Sequence, residues 1–240
     1  MFLLYANPIL IAAAIIPAVI LLIKVYQADK YEKEPPHLLL SLITYGILST
    51  GIALILEQLG SMLLNTFCAD NPLLYQILLY FVVVAFSEEG AKYVLLKKRT
   101  WNSSAFNYRF DGVVYAVFVS LGFALWENIS YVLQYGLQVA MVRAVTAVPG
   151  HACFGVFMGL WYGSAKLYEG YGREGRSKFC RTMAVLVPAL LHGAYDFIAS
   201  SQDERSEWGF VIFIAVMFFA AYAQIKRQSS HDQHIPGTMY

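Results

Sequence analysis

Long apolar segments alternate with short polar segments along the whole chain. The apolar segments fall at about 2–25, 38–60, 73–96, 111–134, 140–166, 182–200 and 207–225. A helix of about 20 apolar residues is long enough to cross the hydrocarbon core of a bilayer. The pattern therefore predicts an all-α, polytopic transmembrane helix bundle with seven spans. We expect residues 1–227 to form a single domain and the polar tail at 228–240 to be disordered.

The positions of Lys and Arg predict how the bundle is oriented. These residues collect in alternate connections, at 24–33, 97–109 and 166–181, and again after the last span at 226–227. The connections at 61–72, 135–139 and 201–206 carry only Arg205. Cytoplasmic loops of membrane proteins carry an excess of Lys and Arg. The amino terminus is therefore predicted to lie outside and the carboxyl terminus in the cytoplasm.

Composition agrees with a membrane protein and narrows the possible partners. The chain of 240 residues is 58% hydrophobic and only 14% charged, whereas soluble domains are about one-quarter charged. Its net charge of +1 gives no general attraction to nucleic acid. We expect a multi-pass protein of a bacterial or archaeal plasma membrane, in contact with lipid and without a nucleic-acid partner.

Two spans carry small residues at a spacing of four, which places them on one helix face. Gly112, Ala116, Ser120 and Ala124 form one ridge, and Gly155, Gly159 and Gly163 form the other. Small residues let the backbones of neighbouring membrane helices approach closely. The first ridge leads towards Glu127 and the second begins near His151, so these polar residues are predicted to face the bundle interior.

A set of polar side chains lies inside the apolar segments. A charged group at membrane depth costs roughly 2.5 to 3.5 kcal/mol even on lenient scales, so such residues indicate function. At about 1.5 Å per residue, the depths of the central members differ by on the order of 10 Å. We expect five of these residues to face one water-accessible cavity: Glu88, Glu89, Glu127, His151 and His192. Lys92, Asn128 and Asp196 are expected to support them, and Arg143 and Glu57 to lie nearer the outer interface.

These residue types suit the activation of water. A carboxylate in a low-dielectric pocket is a competent general base, and neutral imidazoles can donate hydrogen bonds to an oxyanion. Glu89 is our choice of base, with its neighbour and Lys92 holding the water and balancing charge. Asp196 lies four residues after His192 and can orient it. Two His and several Glu also match the ligands of a catalytic zinc site, although no HExxH motif occurs.

Six motifs occur in a fixed order between residues 29 and 197. They are DKYEKEPP at 29–36, FSEEGAK at 86–92, RFDGVVY at 109–115, GFALWEN at 122–128, PGHA at 149–152 and HGAYDF at 192–197. In this set the chain resembles the PrsW family of intramembrane proteases, which is related to the type II CAAX prenyl endopeptidases.

The resemblance implies a protease-like domain that cleaves a single-span membrane protein, an anti-sigma factor in the best-known bacterial role, as part of a stress response. It also implies that Glu88, Glu89, Glu127, His151 and His192 are catalytic or hold a divalent metal such as zinc, with Asn128 and Asp196 in support. The motifs leave open whether the reaction depends on a metal or on glutamate alone.

Two other functions are compatible with the same residues. Chains of intramembrane Glu and His also serve proton-coupled transporters and channels. The sequence shows no inverted repeat and no matching pair of Pro- or Gly-broken helices, which such transporters commonly have. The third possibility is a non-catalytic scaffold, because the wider group that the chain resembles includes such a subunit.

The predicted orientation is tested with reporter fusions. We expect a reporter that is active only in the cytoplasm to work when fused after Tyr240 and to be silent when fused after Tyr135. A reporter active only outside should give the opposite result at both positions. Outside activity of the Tyr240 fusion would overturn the seven-span arrangement with an external amino terminus.

Overall fold

Seven helical segments in the computed structural model are long and apolar enough to cross a membrane, which confirms the predicted number of spans. The structure describes residues 8–201 and 203–238. The first predicted span begins at residue 2, so its first six residues lie outside the described part. Within the described residues the secondary structure is helical apart from one isolated bridge between Tyr108 and His234.

The helices follow one another through short connections. Their bounds are α1 Pro8–Ala28, α2 Pro36–Phe67, α3 Pro72–Ile77, α4 Ala85–Thr100, α5 Asp111–Tyr135, α6 Leu137–Val145, α7 Ala147–Gly170, α8 Glu174–Ala199 and α9 Glu204–Ser230. A π-helical stretch, Leu78–Val84, joins α3 to α4, so the third span is the continuous segment Pro72–Thr100. Such π turns are frequent beside functional sites.

The predicted fifth span, 140–166, is divided into α6 and α7 at Thr146. Pro149 explains the division, because a proline has no N–H to donate and its ring clashes with the carbonyl four residues earlier, here that of Val145. The interruption leaves α6 as a short separate helix, which carries Arg143 in its last turn.

Helix α5 is the most buried of the spans and packs through its small residues, as the sequence spacing predicts. A Cβ added to Gly159 of α7 would lie 2.4 Å from Cα of Val113, and one added to Gly163 would lie 2.0 Å from the carbonyl oxygen of Arg109. On the other side of α5, a Cβ on Gly122 would lie 2.3 Å from the carbonyl oxygen of Ile43 on α2. Helix α5 is thus clamped between α2 and α7 at backbone contact distance.

The tail differs from the predicted disorder. Helix α9 continues to Ser230, and the following residues pair with the loop before α5. The amide of Arg109 donates to the carbonyl of Gln233 at 2.9 Å, and the amide of Ile235 donates to the carbonyl of Asn107 at 2.7 Å. The Ile235 side chain is 1% exposed. One apolar anchor and these backbone hydrogen bonds order a segment whose own composition is polar.

The close contact of α5 with α7 predicts the effect of one added methyl group. Gly159→Ala should destabilise the protein by about 1–3 kcal/mol or more, because the Cβ meets backbone that cannot move aside. Thermal unfolding of the detergent-solubilised protein measures the change. Gly51→Ala is the matched control, since a Cβ there has nothing within 4 Å. Equal stability of both variants would contradict the packing described.

Candidate active site

Two carboxylates and an ammonium lie together on α4, in the middle of the bundle. Lys92 Nζ contacts Glu89 Oε1 at 2.7 Å and Glu88 Oε2 at 3.1 Å. The Lys92 side chain is fully buried and lies over the ring of Phe123, with Nζ 3.9 Å from the ring centroid. Lys92 is therefore a charge partner inside the protein, and its ammonium does not reach the membrane interface.

Both predicted histidines turn their Nδ1 atoms towards this group. His151 of α7 places Nδ1 3.2 Å from Lys92 Nζ, and His192 of α8 places Nδ1 3.0 Å from Glu89 Oε1. The two imidazole rings lie 5.2 Å apart between centroids. Residues from α4, α7 and α8 therefore converge at one point, as the sequence predicts.

The outer nitrogen of each histidine faces a further carboxylate. His151 Nε2 lies 2.8 Å from Glu127 Oε2, and His192 Nε2 lies 3.4 Å from Asp196 Oδ2. An ammonium can only donate, so Nδ1 of His151 accepts from Lys92, and its Nε2–H donates to Glu127. The orientation of His192 by Asp196 that the four-residue spacing predicts agrees with this geometry.

Arg143 belongs to the site, although the sequence places it near the outer interface. Its Nη2 lies 3.0 Å from Glu127 Oε2, and its Nε donates to Asn128 Oδ1 at 3.0 Å. Asn128 in turn donates to the carbonyl of Ala14 on α1 at 2.8 Å. Because α6 is separated from α7 by the break at Thr146, Arg143 reaches back to the Glu127 side chain. Sequence spacing carried no signal for this contact.

Two aromatic residues of the site were also missed. The ring of Phe154 stacks on His192 with a centroid distance of 4.6 Å, and the ring of Phe123 lies 5.5 Å from that of His151. Phe154 follows His151 by three residues and Phe123 precedes Glu127 by four, so both share a helix face with a predicted site residue. This spacing could have identified both aromatic residues from the sequence.

Four of these residues have the chemistry of a metal site. Glu88, Glu89, His151 and His192 each offer one ligand atom, and the four atoms lie within 4.8 Å of one another. Glu89 Oε2 is buried without a hydrogen-bond partner, as expected of an oxygen kept for a ligand. Two His and two carboxylates suit a divalent metal, and carboxylates on the outer nitrogens are the usual supports of metal-binding histidines. Glu127 is one of these supports and stands outside the group of four.

A cavity of about 710 Å³ adjoins the group on one side. Glu88, Glu127, His151, His192 and Asp196 line it, and the sequence candidate Glu57 lies on its wall. Glu89 and Lys92 are not among the lining residues and have fully buried side chains. The two adjacent glutamates therefore occupy different positions, with Glu88 at the cavity and Glu89 behind it.

Comparisons with known proteins show which proteins this chain is similar to. Residues 34–223 match the model of a family described as PrsW family intramembrane metalloprotease. Relatives named Protease PrsW include that of Shouchella clausii, 31% identical over 92% of this chain and 97% of its own length, and that of Clostridioides difficile, 30% identical over 92% of both. The Bacillus subtilis relative is 32% identical over 87% of this chain and 89% of its own. No solved structure matches the chain.

The carboxylates on the outer nitrogens give a prediction about metal affinity. Glu127→Gln and Asp196→Asn should each weaken zinc binding by roughly 10- to 100-fold, because each removes the charged acceptor that orients a histidine. Titration of the chelator-treated protein with Zn²⁺ measures the affinity. Glu207→Gln on the exposed face of α9 is the matched control and should bind as the unchanged protein does. Unaltered affinity in both site variants would argue against a metal at this group.

Proposed function

The chain belongs to the PrsW family of intramembrane metalloproteases, and we propose that it hydrolyses a peptide bond of a single-span membrane protein at the group formed by Glu88, Glu89, His151 and His192. One observation carries this proposal. Nδ1 of His192 faces Glu89, and Nδ1 of His151 faces Lys92, which also contacts both glutamates. Each Nε2 faces a supporting carboxylate, and the whole group lies beside a cavity. A buried structural ion cluster would need neither the paired supports nor the cavity.

We infer that zinc is the metal of this site. Within the group of four, Glu89, His151 and His192 would hold it, since two histidines and one glutamate are a ligand set of catalytic zinc sites, and this leaves Glu88 for proton transfer. When bound, such an ion polarises a carbonyl and lowers the pKa of water. Lys92 now contacts three of the four residues, so it balances their charge and keeps them together.

Glu88 is better placed than Glu89 to act as the general base. Sequence reasoning favoured Glu89, but its side chain is fully buried and its Oε1 is held by Lys92 and His192. Glu88 lines the cavity and has one oxygen, Oε1, outside the contact with Lys92. In the reaction Glu88 takes a proton from the attacking water and passes it to the amide nitrogen as the C–N bond breaks.

The position of the cavity bears on where the substrate is cut. On α2, α5 and α8, its lining residues lie from about the middle of each helix to its end. These parts of the helices lead to the connections α2–α3, α5–α6 and α8–α9, and the charge pattern predicts that these connections are outside. A helix in the membrane has its carbonyls in hydrogen bonds, so a scissile carbonyl becomes available where the substrate helix ends. We therefore propose cleavage near the outer end of the substrate span, and an anti-sigma factor is the candidate substrate that the family suggests.

The proposed base is tested by removing its proton acceptor without changing its volume. Glu88→Gln should lower cleavage of a doubly tagged single-span anti-sigma factor by roughly 10²- to 10⁴-fold while the thermal unfolding temperature stays near that of the unchanged protein. Appearance of the two tagged fragments on coexpression and with purified components measures the rate. Glu207→Gln serves as the control on α9.

Two outcomes contradict the proposal in different ways. Cleavage at the unchanged rate by a folded Glu88→Gln protein would exclude Glu88 as the base. Capture of the substrate without cleavage by the unchanged, metal-loaded protein would instead favour a scaffold with the same fold.

A further inference from the structure

A second group of buried carboxylates lies at the other end of α5 from the protease site. Asp29 and Glu34 come from the α1–α2 connection, and Asp111 is the first residue of α5. Each offers one oxygen, and the three oxygens lie within 4.8 Å of one another. Asp111 precedes Glu127 by 16 residues, so about 24 Å of helix separates this acidic cluster from the protease site. The first and third motifs of the sequence contribute to it, and neither takes part in the hydrolysis proposed above.

The three carboxylates are almost completely shielded from solvent. Asp29 and Glu34 are 2% exposed and Asp111 is 1% exposed. Burial raises the pKa of Asp29 to about 6 and that of Glu34 to about 7. Among the described residues, no Lys or Arg forms an ion pair with any of them. Lys33, which directly precedes Glu34, donates to the backbone carbonyls of Tyr26 and Asp29.

Hydrogen bonds account for only part of the cluster. Asp111 Oδ2 accepts from the amides of Asn107 and Tyr108, at 3.1 and 2.7 Å. Glu34 Oε2 accepts from the hydroxyl of Tyr115 at 2.5 Å. These donors hold both carboxylates in place, and each uses one oxygen of its acceptor. Glu34 and Asp111 also lie within hydrogen-bonding distance of each other, so a proton or a cation must lie between their two carboxylates.

Two buried oxygens at the cluster have no hydrogen-bond partner, which indicates that a donor or a cation binds there. One is Oδ2 of Asp29, and the other is Oδ1 of Asn107. Asn107 lies against the cluster, because its amide donates to Asp111 and its Nδ2 donates to Glu32. A buried polar atom without a partner costs free energy, and an oxygen that can only accept is satisfied by a donor or a cation. All available ligands here are oxygens, which hard cations prefer.

We propose that Asp29, Glu34 and Asp111 bind one hard divalent cation, Mg²⁺ or Ca²⁺, at a site separate from the protease centre. The cation neutralises three carboxylates with which no Lys or Arg of the described residues forms an ion pair. It also ties the α1–α2 connection to the first turn of α5 and to the loop before it. The tail joins the same assembly, because Asp232 Oδ1 accepts from the amide of Phe110 at 2.9 Å.

The test uses the full-length protein in detergent after treatment with a chelator. Separate titrations with MgCl₂ and CaCl₂, followed by calorimetry and by thermal unfolding, identify the cation. We expect one saturable site per chain and a higher unfolding temperature on binding. Asp29→Asn and Glu34→Gln should each weaken binding at least tenfold. Asp70→Asn, an exposed acid in the α2–α3 connection, is the matched control and should leave binding unchanged.

The Glu89→Gln protein separates the two sites. Binding of Mg²⁺ or Ca²⁺ that persists in this variant supports the acidic cluster, whereas its loss would assign the cation to the protease site and overturn the proposal. Absence of saturable binding, or an affinity of Asp29→Asn equal to that of the unchanged protein, would also overturn the proposal. Bound protons would then be what neutralises the carboxylates. If the cluster variants fail to fold, the titration of Glu89→Gln alone still decides, because cation-dependent stabilisation is measured without altering the cluster.

Discussion

A single buried ammonium makes the centre of this bundle possible. Two carboxylates at membrane depth, side by side on one helix, would each cost several kcal/mol without a nearby positive charge. Lys92 contacts both of them and also His151 on another helix, from a position with no exposed surface. Removing the ammonium would leave two buried carboxylates without a nearby positive charge, so both glutamates depend on Lys92. The contact of Lys92 with His151 also bridges α4 and α7.

Helix α5 connects the charged groups and fixes their positions. Its small residues let α2 and α7 approach to backbone contact, and a helix clamped on both sides has little freedom to shift. Its first residue is Asp111, and Glu127 and Asn128 lie near its other end. A site that must hold several side chains in productive geometry needs such a rigid support. The polar groups at both ends of α5 therefore depend on the packing of its apolar middle.

Neighbouring residues of one motif serve different purposes because of helix geometry. Glu88 and Glu89 point about 100° apart on α4. Glu88 faces the cavity, and Glu89 contacts Lys92 and His192. The two nitrogens of each histidine also have different partners, because Nδ1 faces the charged group on α4 and Nε2 faces a supporting carboxylate. Binding and support are thus divided among residues only a few positions apart.

The sequence by itself determined the seven spans, because the thickness of the bilayer sets the length of apolar helix that a span needs, and this length is visible in each local segment. It also selected Glu88, Glu89, His151 and His192 as site candidates, since ionisable residues inside apolar segments stand out without any knowledge of the fold. The contact of Arg143 with Glu127, the choice of Glu88 for the cavity and the order of the tail were decided only by the tertiary structure. Each of these depends on helix rotation or on the meeting of segments far apart in the chain. Periodicity shows which residues share a face, but the packing of the whole bundle decides what that face meets.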